Sequence, residues 1–303
     1  MDETINREHK DRLFCFIFGR EENKRWTLLL YNAVNGTDYT DPDAVEITTM
    51  DDIIYMGMRN GVSFLINCEL SLYEQQSTYN PNMPVRQLMY LGRQYDKYIK
   101  RTKQNMYGNK QMTLPVPRLV TFYNGIEDIP DKVLKLRDSF QENCRSDETD
   151  VEVTVHLYNI RLRGDNDLIR KCSPLAEYSW FVEEIRKNRK NMDLTQAIGR
   201  AIKDMPDDYD LKEFLIGHQS EVMSMCITEY NEVETMQMFK EEGREEGREE
   251  TLITQICKKL VKGKAVPVIA DEVEESEEYV SKICDIAIKY LPNYDVQKIM
   301  AEL

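Results

Sequence analysis

The sequence predicts an α/β protein with a mixed sheet, a helical annex and a small helical tail. Three observations predict it. The periodicities run helix, strand, strand, helix, strand, strand, and then helix to the end. The stretch Gly61–Gln76 reads as two strands about a tight turn, and residues 118–123 and 151–157 read as further strands. From residue 165 onward the apolar pattern is helical. With 303 residues and 41% hydrophobic content, the chain can bury one large core plus a smaller one.

Residues 7–35 read as helical: the block Phe14, Phe16, Ile17, Phe18 is interrupted by Gly19 and resumed by Trp26, Leu28, Leu29, Leu30 and Tyr31, with a turn at Asn35-Gly36. Residues 45–58 fit a strand or a short helix. The hairpin follows, its turn near Asn67-Cys68-Glu69. Asn80-Pro81-Asn82-Met83-Pro84 is a rigid loop, and Pro84 suits the first turn of a helix over about 85–102. That helix is amphipathic. Leu88, Leu91, Tyr95, Tyr98 and Ile99 form the apolar side, with Arg86, Tyr90, Arg93, Lys97, Lys100 and Arg101 opposite. Arg118–Tyr123 has the composition of a buried strand, closed by Asn124-Gly125, and residues 126–140 suit a short helix. Val151–Leu157 alternates, as a strand with one wet face does.

Helices are expected from Asp193, from about Leu211 to Phe239, and through the Glu-Gly-Arg-Glu repeat of 241–250, a helical linker. The tail over 251–303 suits three helices. One stops at Gly263, one starts at Pro267 and one is capped at Ser276. It carries 15 acids against nine bases over 241–303, so partner binding or homodimerisation fits it better than insertion into DNA.

Net charge is −14, which argues against indiscriminate nucleic-acid binding. Residues 86–118, however, hold eight basic residues and one acid, Asp96. An acidic protein with one basic segment admits a polyanion only there. The seven cysteines are scattered without a Cys-x-x-Cys pair, and the three histidines are far apart, so neither a zinc site nor a disulfide framework is expected. No apolar run approaches a membrane span and the N-terminus has no signal-peptide pattern, so a cytoplasmic protein without membrane contact is the expectation.

Leu70, Leu72, Glu74 and Gln76 share one face of the second hairpin strand. That face turns from apolar to polar at its end, as a face leaving a core for a cleft does. Metal-assisted phosphodiester hydrolysis needs carboxylates for the cation, a group to orient water, and cations to steady developing charge. Glu74 supplies one carboxylate, Gln76 can orient water, and Arg86 and Tyr90, one helical turn apart, can contact phosphate. The first hairpin strand offers no second carboxylate. No Ser/His or Cys/His pair and no glycine-rich phosphate loop is readable.

Val62–Ile66, Leu72-Tyr73-Glu74-Gln75-Gln76-Ser77-Thr78-Tyr79-Asn80-Pro81-Asn82-Met83-Pro84, Arg86 and Tyr90 together resemble the Rpn-type recombination-promoting nucleases. These are often labelled transposases, within the PD-(D/E)XK nuclease superfamily. Lys10–Phe14, Phe122–Gly125 and the Glu-Gly-Arg linker also look like that family. The resemblance implies a nuclease core over 1–165, a helical extension over 166–240, a linker over 241–250 and a tail over 251–303. It implies a Mg²⁺- or Mn²⁺-dependent endonuclease on double-stranded DNA, linked to recombination or mobile elements. Glu74 would be the metal ligand, Gln76 would join it in catalysis, and Arg86, Tyr90, Arg93, Lys97 and Arg101 would grip DNA. In the family the first hairpin strand begins with an Asp. Here that position is Gly61, which has no side chain for a metal. Asp11, Glu8 and Glu69 are the candidates to replace it. Three readings follow: an active endonuclease, a degenerate nuclease fold that binds DNA or a protein, and an interaction protein whose acidic helical half does the work.

Overall fold

The computed structural model of the chain describes residues 13–48, 61–142, 149–162, 166–290 and 294–303. The chain divides into two compact units, Met1–Tyr230 and Asn231–Leu303.

Helices α1 (Leu13–Phe18) and α2 (Lys24–Asn35) open the first unit. Its strands are β1 (Val45–Ile47), β2 (Gly61–Ile66), β3 (Glu69–Gln76), β4 (Val116–Tyr123), β5 (Lys132–Lys135) and β6 (Thr154–Asn159). They form a six-stranded sheet in the order β1-β2-β3-β4-β6-β5. The β1–β2, β2–β3 and β5–β6 pairs are antiparallel, and β3–β4 and β4–β6 are parallel. The fold is therefore α/β with a mixed sheet. The parallel β3–β4 step requires a crossover, which helix α3 (Met83–Arg101) supplies.

Local chemistry sets these boundaries. The β2–β3 turn places Asn67 at φ 50°, a conformation that asparagine tolerates better than most residues. Helix α2 ends at Gly36, φ 65°, whose N–H returns to Asn32 O. The helical stretch expected over 7–35, with its interruption at Gly19, is two helices from Leu13 on. A Cβ on Gly19 would stand 2.7 Å from Cys15 O, and a 3-10 turn, Glu21–Asn23, separates α1 from α2. The short helix expected within 126–140 is instead β5 followed by a 3-10 turn, Leu136–Ser139. Leu134 and Leu136 enter the core there, so extension along β6 buries what a helix would have left out.

Alternation gives the sheet two covered faces. On one, Val62, Phe64, Tyr73, Val120 and Phe122 pack with α1, α2 and the annex. The annex comprises α4 (Asp167–Lys171), α5 (Ser173–Asn188), α6 (Leu194–Asp204), α7 (Asp210–Gly217) and the start of α8 (Gln219–Val261). Tyr73 meets Phe64 and Phe122 edge-on, at 5.1 and 5.5 Å between centroids. Each such pair adds about 0.5–1.5 kcal/mol beyond burial. On the other face, Leu65, Leu70, Leu72, Leu119 and Leu157 pack beneath α3. The helix expected over 211–239 is divided at His218 into α7 and α8, and α8 continues through the Glu-Gly-Arg repeat.

One buried carboxylate joins the annex helices. Glu177 on α5 is 5% exposed, and its Oε2 accepts the Leu211 N–H of α7 at 2.8 Å. Burial raises its pKa, the Leu211 hydrogen bond opposes this, and Asp210 adds to the rise. The folded value thus exceeds the unfolded one. The contribution to stability is fullest below the unfolded value and is lost as pH rises through the folded value. Glu177→Gln retains an acceptor for Leu211 and removes the titration. Urea unfolding between about pH 4 and pH 7 should give a flatter stability profile for the variant. Equal slopes for both proteins would contradict this.

The second unit holds the end of α8 with α9 (Val266–Val273), α10 (Glu277–Ala287) and α11 (Val296–Ala301) around Ile253, Ile256, Ile269, Val280, Ile283 and Ile299. Its punctuation follows the sequence. Gly263 has φ 75°, Pro267 sits in the first turn of α9, and Ser276 Oγ accepts the Tyr279 N–H. Among the described residues no helix is long and apolar enough to cross a membrane.

Candidate functional site

Glu74 lies near the end of β3, on the face covered by α3. Its register partners are Gly61 on β2 and Thr121 on β4, and such neighbours share a face. The carboxylate is 2% exposed. Met83 and Pro84, both buried, seat the start of α3 against this end of the sheet. Arg86 stands one turn further on, and its Nη2 donates to Glu74 Oε1 at 2.6 Å. Gln76 Nε2 donates to the same oxygen at 3.4 Å. Arg86 Nε and Nη2 each donate to Tyr90 Oη at 3.4 Å.

The charges hold one another in place. Burial works to discharge the Arg86 guanidinium, but Glu74 and then Tyr90 outweigh it, so its pKa is raised. Burial, then the Glu74 charge, raises the Tyr90 hydroxyl, while Arg86 opposes both. The structure thus brings Glu74, Gln76, Arg86 and Tyr90 together. Tyr90 differs from expectation in one respect. It is not on the solvated side of α3 but in the core with Leu70 and Leu72, with its hydroxyl turned to Arg86.

The buried arc of α3 is rotated from the expected one. It carries Met83, Gln87, Tyr90, Gln94 and, of the expected apolar side, Ile99, while Leu88, Leu91, Tyr95 and Tyr98 are partly buried against the core. Gln94 Nε2 donates to Ser63 Oγ at 2.9 Å, and Gln87 Nε2 to Val120 O at 3.4 Å. With Thr121 these residues form a buried polar layer leading to Glu74. None of them was a candidate from the sequence. The readable signal was the seven-residue spacing of Gln87 and Gln94, which puts both amides on one helical face.

Glu69 does not join the site. It is at the opposite end of β3, five residues and about 17 Å along the strand from Glu74, and it faces the other side of the sheet. There it pairs with Arg118 and accepts from Tyr31 Oη at 2.6 Å. The Arg118 hydrogen bond lowers its pKa against the effect of burial. Asp11 and Glu8 lie outside the described residues. Arg93, Lys97 and Arg101 are all exposed on α3. Arg101 pairs with Glu46 of β1, and Lys97 Nζ donates to Thr48 O at 3.4 Å.

A resident dication does not fit the residues described here. The donor set has one carboxylate, one of its oxygens is taken by a guanidinium, and the facing residue is glycine. Among the described residues no three His, Cys, Asp or Glu side chains gather where a metal ion could be held. The arrangement is a charge-compensated, buried ion pair. The cavity of about 460 Å³ lined by Asp131, Tyr158, Arg161 and Lys171 includes none of these residues. No family model, curated protein or solved structure matches the chain.

Proposed function

We propose that this protein is a nuclease-like fold that binds double-stranded DNA along α3 without Mg²⁺-dependent hydrolysis. One observation carries the reading. Glu74, at the place where the resemblance puts a metal ligand, is closed into an ion pair with Arg86 and faces Gly61. The DNA surface is narrower than the sequence implies. Of the eight basic residues in 86–118, Arg86, Lys100, Arg101 and Arg118 have carboxylate partners. Arg93, Lys97, Lys103 and Lys110 remain as the cations that support DNA contact, and all four are exposed.

Plasmid nicking and duplex binding test the proposal together. The wild-type chain should bind a duplex with salt-dependent affinity and leave supercoiled plasmid intact in Mg²⁺ or Mn²⁺. Combined Arg93→Glu and Lys97→Glu should weaken binding at least tenfold and reduce the log K against log salt slope by about two. Wild-type nicking that Glu74→Ala abolishes would establish the other reading, an active endonuclease. The convergence of Glu74, Gln76, Arg86 and Tyr90 at one strand end favours that alternative. Absence of any salt-dependent DNA affinity would overturn both and leave an interaction protein.

A further inference from the structure

Helix α3 runs into a loop that the Glu74 site does not use. Gln104 clasps it. Its Nε2 donates to Thr113 O at 3.0 Å, and its Oε1 accepts the Thr113 N–H at 2.8 Å. Inside the clasp, Asn105 Oδ1 accepts the Tyr107 N–H at 3.0 Å and Asn105 O accepts the Gly108 N–H at 3.2 Å. These bonds give a short loop a defined tip without any apolar core beneath it. At the tip Tyr107 is 91% exposed and Met106 is 50% exposed. Of the large hydrophobic side chains among the described residues Tyr107 is the most exposed, and a tyrosine so placed offers a flat apolar face for a partner to cover.

Charge selects the occupant. The sequence from Lys97 to Ile126 contains no acid, and Lys103 and Lys110 flank the tip. Among the described residues neither of those lysines makes an ion pair, in a chain whose net charge is −14. Aromatic rings set between cations are the construction by which proteins stack unpaired bases while tracking a phosphate backbone. From Arg93 to Arg101, α3 rises about 12 Å, three to four base steps, so DNA lying on Arg93 and Lys97 along the helix reaches this loop within a few base pairs.

We propose that the clasped loop Gln104–Thr113 is a base-stacking prong, with Tyr107 as the stacking ring, that makes the protein prefer DNA carrying an unpaired base beside a duplex. The proposal rests on the DNA-binding reading above, and one experiment separates their failures. Fluorescence anisotropy would compare the full chain on a blunt duplex and on the same duplex with a short single-stranded overhang. The wild type should bind the overhang substrate about tenfold more tightly. Tyr107→Ala should abolish that preference and leave blunt-duplex affinity and thermal stability unchanged, and Tyr107→Trp should keep the preference. Equal affinity of the wild type for both DNAs would overturn the prong alone, as would a Tyr107→Ala loss shared equally by both. Binding of neither DNA would overturn the DNA reading with it. Tyr107-dependent sedimentation with phosphatidylserine vesicles, without an overhang preference, would reassign the tip to a lipid surface.

Discussion

Arg86→Ala is expected to destabilise the first unit by about 3–5 kcal/mol, the usual cost of removing one partner of a buried ion pair. The reason is asymmetry. Glu74 is 2% exposed and sits between Gly61 and Thr121 on a packed sheet, so its charge stays behind when the guanidinium leaves. Arg86 is 29% exposed on its side chain, and water screens part of the pair, which favours the lower end of that range. Thermal unfolding should shift down by about 10 °C for a unit of this size. Arg86→Lys should be intermediate, because an ammonium keeps the charge but not the fork that reaches Glu74 and Tyr90 together. Glu74→Gln with Arg86→Met should be markedly more stable than Arg86→Ala, since no uncompensated charge remains. A loss under about 1 kcal/mol for Arg86→Ala, or no recovery in the double variant, would show that Glu74 is neutralised by something other than Arg86.

The hairpin and the place of Glu74 and Gln76 were legible because strand alternation and a left-handed turn residue are local signals. Asn67 sets the turn, Leu70 and Leu72 set the face, and Glu74 and Gln76 inherit it. The pairing of Glu74 with Arg86 is not legible in the sequence, because the closure depends on how α3 seats. That seating turns on Gln87, Gln94 and Tyr90, residues that a hydrophobic pattern scores as solvated. Ser63 and the Val120 carbonyl on the sheet make it favourable to bury the two amides. The basic segment was legible as charge but not as potential. Glu46 and Glu69, 40 and 17 residues before Arg86 in sequence, fold back onto Arg101 and Arg118. Strand β5 was missed because four residues with one buried leucine carry too little periodicity to compete with a helical reading.

Gly61→Asp is expected to make the protein's stability depend on a divalent cation. Gly61 is the cross-strand partner of Glu74, and side chains so placed stand about 4.5–5.5 Å apart at Cβ. Two carboxylates at that spacing repel and should lower stability by about 1–2 kcal/mol in EDTA. Mg²⁺ or Mn²⁺ at about 100 times its dissociation constant would return about 2.7 kcal/mol, so the melting temperature should rise with cation concentration in the variant and not in the wild type. Plasmid nicking should appear with the cation and vanish when Glu74→Ala is added. A variant whose stability ignores the cation would show that position 61 is not where the second ligand is wanted. Among the described residues the wild-type site sets one carboxylate against one guanidinium, and Arg86 occupies Glu74 Oε1. Gly61→Asp adds one negative charge beside that pair, and a cation is the partner that best offsets it.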